Sequence, residues 1–189
     1  DCCESGSTLR FLIPLASLTG QEITFVGRGR LMERPQSVYE ELYRAKGLRF
    51  EQTPSGLTVE GLLSSGDYTL AGNVSSQFIS GLLFALPLLA GTSTLRLLPP
   101  VESRSYIDMT RAVQAAFGVE SRWLDETTLE ISGGQEYHPC DYTVEGDYSQ
   151  AAFPAVLGAV AGGVTLTGLA EKTLQGDAAI LDILRRCGA

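Results

Sequence analysis

Apolar and polar positions alternate along this chain in two rhythms that follow one another in a fixed order. Asp67–Ala71 alternates like a strand with one covered face. Residues 75–90 carry almost no charge, which predicts a helix buried on every side. Residues 92–98 alternate Thr and Leu like a second strand. Residues 106–117 place Ile107, Met109, Ala112, Val113 and Ala116 at helical spacing, with Gly118 as the stop. Residues 119–124 and 127–131 then read as a hairpin about Asp125 and Glu126. The predicted unit is βαβαββ.

The same unit recurs on either side. A first copy runs as a helix over 5–18, a strand over 22–26, a helix over 36–46 and a hairpin around Pro54, Ser55 and Gly56. A third runs as a strand over 142–145, a helix over 149–160, a strand over 163–167 and a helix over 178–186. The segment DYTLAGNVSSQF from Asp67 returns as DYTVEGDYSQAAF from Asp141, and Gly47, Gly118 and Gly188 recur at intervals of 71 and 70 residues. A fixed period implies units that bury their apolar faces against one another. Alternating strands and helices would ordinarily suggest a doubly wound parallel sheet. Here the first helix of each unit is more apolar than its strands, so the helices belong inside, and the hairpins demand antiparallel pairing. The predicted class is α/β: repeated βαβαββ units, with buried helices and mixed sheets outside.

With 189 residues, 44% of them hydrophobic, the chain can build a sizeable core. Its net charge of −8 excludes general attraction to nucleic acid or an anionic membrane, so an anion would have to be captured locally. Cys2, Cys3, Cys140 and Cys187 have neither metal-ligand nor disulfide-framework spacing, which favours reduced thiols and a cytoplasmic location. His138 beside Cys140 is too little for zinc, and no metal site is expected. The longest apolar stretch, 78–90, contains Pro87 and falls short of the roughly 20 residues a bilayer span needs.

Two turns invite an anion. Gly72, Asn73, Ser75, Ser76 and Gln77 precede an apolar helix, and a helix N-terminus presents unpaired N–H groups and partial positive charge. Ordinary capping would account for one serine but not for three polar residues. Ser5, Gly6, Ser7, Thr8 and Arg10 form the equivalent turn one unit earlier. Gly6 would allow close backbone approach. Arg10 either serves a ligand or snorkels to the surface. Arg34, just before Pro35, stands where anion-clamping arginines usually stand, whereas Arg28 and Arg30 read as solvated. Ser103, before Tyr106, reads by default as a polar cap.

Taken together, Ser5 to Arg10, Glu33-Arg34-Pro35, Gly72 to Phe78, Ser103 to Asp108, Val144 to Asp147 and Gln175-Gly176-Asp177 resemble the enolpyruvyl transferases, and among them the 5-enolpyruvylshikimate-3-phosphate synthases. The resemblance runs in the family's order along essentially the whole chain. It implies an inside-out α/β barrel of two lobes, each of three βαβαββ units. Residues 1–139 would be most of the first lobe (two of its three units), and residues 140–189 the start of the second. It implies transfer of the enolpyruvyl group of phosphoenolpyruvate to shikimate 3-phosphate in the cleft between lobes, without metal or organic cofactor. Ser75, Ser76, Gln77, Ser103 and Tyr106 would bind shikimate 3-phosphate. Gly6, Ser7, Arg10, Arg34 and Gln77 would serve phosphoenolpyruvate.

Glu4 stands where the family usually has Asn, and Ser7 where it has Thr, so Glu4 is given no role. The family's proton-moving carboxylates and basic residues have no counterpart here, so no catalytic residue is assigned. The chain begins inside one unit and stops where the others continue into a hairpin. It is therefore expected to need the rest of a parent chain and to be inactive alone. UDP-N-acetylglucosamine enolpyruvyl transferase shares the fold, but would be expected to carry a reactive cysteine in place of Ser-Ser-Gln. RNA 3'-phosphate cyclase would need a basic surface. A non-catalytic helical scaffold, with every polar cap structural, is the remaining alternative.

Overall fold

The computed structural model describes residues 1–189, which form two compact units, Asp1–His138 and Pro139–Ala189. In the first unit the chain runs through α1 (Gly6–Ala16), β1 (Ile23–Phe25), a 3-10 turn (Leu31–Glu33), α2 (Ser37–Ala45), β2 (Arg49–Thr53) and β3 (Gly56–Glu60). It continues through β4 (Asp67–Ala71), α3 (Ser76–Ala85), a 3-10 turn (Leu86–Leu88), β5 (Ser93–Leu98), α4 (Arg104–Ala116), β6 (Arg122–Trp123) and β7 (Thr128–Ile131). The second unit has α5 (Tyr148–Ala161) and α6 (Ala179–Arg186).

The repeat is visible in the sheets. One sheet has the order β1-β3-β2, antiparallel throughout, with Thr58 opposite Thr24 on one side and Glu51 on the other. The other has the order β4-β5-β7-β6, in which β4 and β5 are parallel and the remaining pairs antiparallel. Removing β4 leaves β5-β7-β6, the same arrangement as the first sheet. Gly47, Gly118 and Gly188 follow α2, α4 and α6 with φ of 69°, 83° and 93°, the left-handed stop that glycine adopts without a Cβ clash.

The helices lie inside. Every residue of α3 from Phe78 to Leu83 is buried, and Leu9 and Ile13 of α1 are fully enclosed beside it. The sheets cover this core with one face only: in β5, Ser93, Leu95 and Leu97 point inward, while Arg96 and Leu98 face out. Burying a Leu or Ile side chain contributes about 1.5–3 kcal/mol, so the α1–α3 seam is a main source of stability.

α1 contains a proline and the 3-10 turn after α3 contains another, and in each case the freed carbonyl finds a side chain. Proline removes the N–H that would bond to the carbonyl four residues back. Pro14 thus frees the Arg10 carbonyl, which accepts from Tyr39 Oη at 3.0 Å. Pro87 frees the Leu83 carbonyl, which accepts from Gln114 Nε2 at 2.7 Å. These bonds explain two buried polar residues. They also revise the expected face of the helix following β5. Its buried residues are Ile107, Thr110 and Gln114, whereas Ala112 and Ala116 are exposed, because Gln114 is needed at the end of α3. The helix expected over 75–90 ends at Ala85 for the same reason, tightening into a 3-10 turn at Pro87.

The second unit departs from expectation. Residues 142–145 and 163–167 form no strands, and α5 is not buried: Phe153 is 75% exposed and Val160 83%. The helix expected over 149–160 is present but uncovered. It packs on α6 and the turn before it. One backbone feature of the repeat survives. Gly146 N donates to Gly168 O at 2.9 Å, as Gly72 N donates to Leu98 O at 2.7 Å. A methyl group at Gly72 or Gly146 would lie 2.7 Å from those same carbonyl oxygens, which explains why glycine recurs there.

Candidate functional site

The N-terminus of α3 opens into a cavity of about 340 Å³. Ser75, Ser76, Gln77, Ser103 and Tyr106 line it, together with Phe11, Met109 and the Ser80–Thr110 pair. None of these residues is charged, so the polarity comes from hydroxyls, one amide and the helix end. The structure therefore brings the five residues expected around shikimate 3-phosphate to one place.

Local sequence explains the arrangement. Ser75 is the N-cap, its Oγ accepting from Gln77 N at 3.4 Å, which leaves its hydroxyl hydrogen to donate elsewhere. Ser103 is the N-cap of α4, yet its side chain makes no capping bond. The default reading of Ser103 as a polar cap is thus not realised, and the residue lines the cavity instead. Thr110 Oγ1 donates to the Tyr106 carbonyl at 3.0 Å and therefore accepts from Ser80 Oγ at 2.7 Å. That pair fixes the first turn of α4 against α3.

The same turn is anchored from outside. Asp108 Oδ1 accepts from Trp123 Nε1 at 2.7 Å and from Arg111 Nη1 at 3.0 Å. Arg104 stacks on the Trp123 ring with its Cζ 3.7 Å from the centroid and donates to the Glu126 carbonyl at 2.7 Å. Ser103 and Tyr106 are held by this cluster on the β6–β7 hairpin.

A second cluster adjoins the first through Gln77. Its Nε2 donates to Ser7 Oγ at 2.7 Å, and its Oε1 accepts from Arg10 Nη1 at 2.9 Å. Arg10 does not snorkel. Its guanidinium lies on the Phe78 ring, 4.4 Å from the centroid, and its Nε donates to Gln36 Oε1 at 3.2 Å. Burial lowers the Arg10 pKa from its ordinary value, and the neighbouring Arg34 charge lowers it too. It remains a cation.

Arg34 is exposed, in an open cavity of about 260 Å³ with Arg30, Glu33 and Pro35. Arg30 pairs with Glu33 at 3.4 Å, and Arg34 joins no ion pair. A methyl group at Gly6 would lie 3.1 Å from Arg34 Nη1, so the arginine reaches across to the first turn of α1. Gly6, Ser7, Arg10 and Arg34 are thus gathered as expected. Arg10 lines neither cavity and acts through its neighbours. Arg28 and Arg30 are solvated, each in an exposed ion pair.

Sequence reasoning missed Gln36, Tyr39, Ser80 and Thr110. A lone polar residue before or within an amphipathic helix carries no signal of its own. The four cysteines are unpaired, and no group of three or more His, Cys, Asp or Glu side chains could hold a metal ion. No helix is long and apolar enough to cross a membrane.

The fold agrees with that of known proteins. A solved EPSP synthase from Acinetobacter baumannii superposes with a TM-score of 0.78 at 22% identity, covering 99% of this chain and 42% of that one. The two chains therefore share one α/β fold. Residues 1–189 match the family EPSP synthase (3-phosphoshikimate 1-carboxyvinyltransferase), and the chain belongs to that family. It is similar to the 3-phosphoshikimate 1-carboxyvinyltransferases of Clostridium kluyveri, 47% identical over 190 residues, and Brachyspira hyodysenteriae, 44% identical over 189. It spans 44% and 45% of the length of those two relatives.

Proposed function

We propose that residues 1–138 carry the shikimate 3-phosphate pocket, and part of the phosphoenolpyruvate site, of a 3-phosphoshikimate 1-carboxyvinyltransferase. In that reaction a hydroxyl of shikimate 3-phosphate takes the enolpyruvyl group and inorganic phosphate leaves. The observation that carries the reading is the convergence of Ser75, Ser76, Gln77 and Ser103 on one uncharged cavity at a helix N-terminus. Hydroxyl and amide donors at a helix end suit a phosphate dianion. Tyr106, Phe11 and Met109 give the cavity apolar surface for a carbocyclic ring. Arg34 and the Gly6–Ser7 turn then take phosphoenolpyruvate, with Gln77 shared between the two substrates and Arg10 holding Gln77.

Residues 139–189 belong on this reading to the second lobe. The groups that move protons would come from chain beyond these residues. Such an enzyme works in the cytoplasm, in keeping with four unpaired thiols. The test is calorimetric titration of the chain with shikimate 3-phosphate, using shikimate as control. The phosphorylated ligand should bind, weakly, and shikimate should not. Equal binding of both, or of neither, contradicts the assignment. The purified chain alone should not turn over the two substrates.

A further inference from the structure

Gln36 is the N-cap of α2, is 1% exposed, and makes no capping bond with its side chain. A buried amide needs partners, and both ends of this one have them. Oε1 accepts from Arg10 Nε at 3.2 Å, and Nε2 donates to the Arg34 carbonyl at 3.3 Å. The chemistry admits one orientation, since a guanidinium only donates and a carbonyl only accepts. One neutral side chain is therefore bonded to both arginine-bearing segments.

The Arg34 backbone is gripped from a second side. Gln52 Nε2 on β2 donates to the carbonyls of Met32 at 2.7 Å and Arg34 at 2.9 Å. Pro35 follows and fixes the next φ. Arg34 thus has a rigid base and a free guanidinium reaching toward Gly6. Two cations in one neighbourhood repel each other, and something must hold them together. A carboxylate between them would do so, but would also cancel their attraction for an anionic ligand. An amide supplies the acceptor and the tether without charge.

We propose that Gln36 is a positioning residue for the anion site: it sets the spacing of Arg10 and Arg34 and, through Arg10, the direction in which the Gln77 amide points. The proposal rests on the assignment of phosphoenolpyruvate to Arg34 and the Gly6–Ser7 turn. Arg34 then meets its ligand with a pre-set base, so less ordering is left to binding.

The test uses the full-length transferase that contains this sequence. Gln36→Met keeps the length of the side chain and removes both hydrogen bonds. KM for phosphoenolpyruvate should rise about tenfold, the loss of one hydrogen bond to a charged group. KM for shikimate 3-phosphate should change by less than about threefold, since Ser75, Ser76 and Ser103 are untouched. Unchanged KM values, or both rising in step with a large fall in melting temperature, would overturn the proposal. Gln36→Glu keeps the shape and the Arg10 acceptor but loses the donor to the Arg34 carbonyl, which Gln52 still holds. The negative charge it places beside Arg10 should raise KM for phosphoenolpyruvate at least as much as Gln36→Met does, and an effect smaller than that of Gln36→Met would place residue 36 away from the anion site. An unmodified enzyme that fails to turn over the two substrates refutes the functional reading itself. Normal turnover with a silent Gln36→Met refutes only the role of Gln36.

Discussion

Arg10 Nη1 donates to Gln77 Oε1 across 2.9 Å, joining residues 67 positions apart. Because arginine has no acceptor, Gln77 must present its oxygen to Arg10 and its nitrogen toward Ser7, 2.7 Å away. One Nε2 hydrogen is then left for a ligand. Gln77→Ala should weaken both substrates, raising each KM about tenfold or more. Steady-state kinetics with each substrate varied in turn would check this. A change confined to one substrate would mean the amide is not shared.

Arg34 provides the contrast. Its guanidinium is exposed and joins no ion pair, while its backbone is held by Gln36 and Gln52. Arg34→Ala should therefore leave the melting temperature within about 2 °C of the parent, as surface substitutions do. It should raise KM for phosphoenolpyruvate at least about tenfold while shikimate 3-phosphate binding is nearly intact. Equal damage to both substrates would show that the cleft is not divided as proposed.

The link between Tyr39 and Pro14 can be tested as a cycle. Tyr39 Oη shares its one hydrogen between the Arg10 carbonyl that Pro14 leaves without a helical donor, at 3.0 Å, and the Phe78 carbonyl, at 2.8 Å. Tyr39→Phe should cost about 1–3 kcal/mol of stability, measured by denaturant unfolding. Pro14→Ala returns an N–H to the Arg10 carbonyl, so in that background Tyr39→Phe should cost less. Strict additivity would show the two positions to be independent.

Much of this architecture was legible. Asp67–Ala71 has the predicted bounds, and the βαβαββ order of the middle unit follows from its alternations and from Gly118. The polar cluster at the start of α3 was legible because Ser75, Ser76 and Gln77 are adjacent in the chain. What escaped was tertiary. Gln114 and Thr110 are buried because one satisfies the Leu83 carbonyl and the other meets Ser80, and neither reason is local. Gln36 looked like any polar residue before a helix. The burial of α5 was inferred from its composition, but an apolar helix is buried only where elements pack over it.

Alkaline pH should destabilise the first unit. Burial raises the pKa of Tyr39 and of Tyr43 above the ordinary value, and pushes Tyr68 up to about 12. Between pH about 10 and 12 the unfolded chain releases tyrosine protons that the folded chain keeps, so stability falls as pH rises. Below the unfolded value this contribution is fully present. Unfolding free energy measured from pH 8 to 12 should drop above pH about 10, and Tyr68→Phe should make the drop shallower. A flat profile to pH 12 would contradict these environments.

The proposed phosphate pocket is tested by Ser76→Ala in the full-length transferase. Ser75 already caps α3 through its bond with Gln77 N, so the fold should not need the Ser76 hydroxyl. Hydrogen bonds to a charged group contribute about 1.5–3 kcal/mol, so affinity for shikimate 3-phosphate should fall about tenfold or more. Calorimetry for the ligand and a thermal melt of the same sample give both quantities. Weakened binding at an unchanged melting temperature is the predicted result; unchanged binding with a melting temperature several degrees lower would contradict the account.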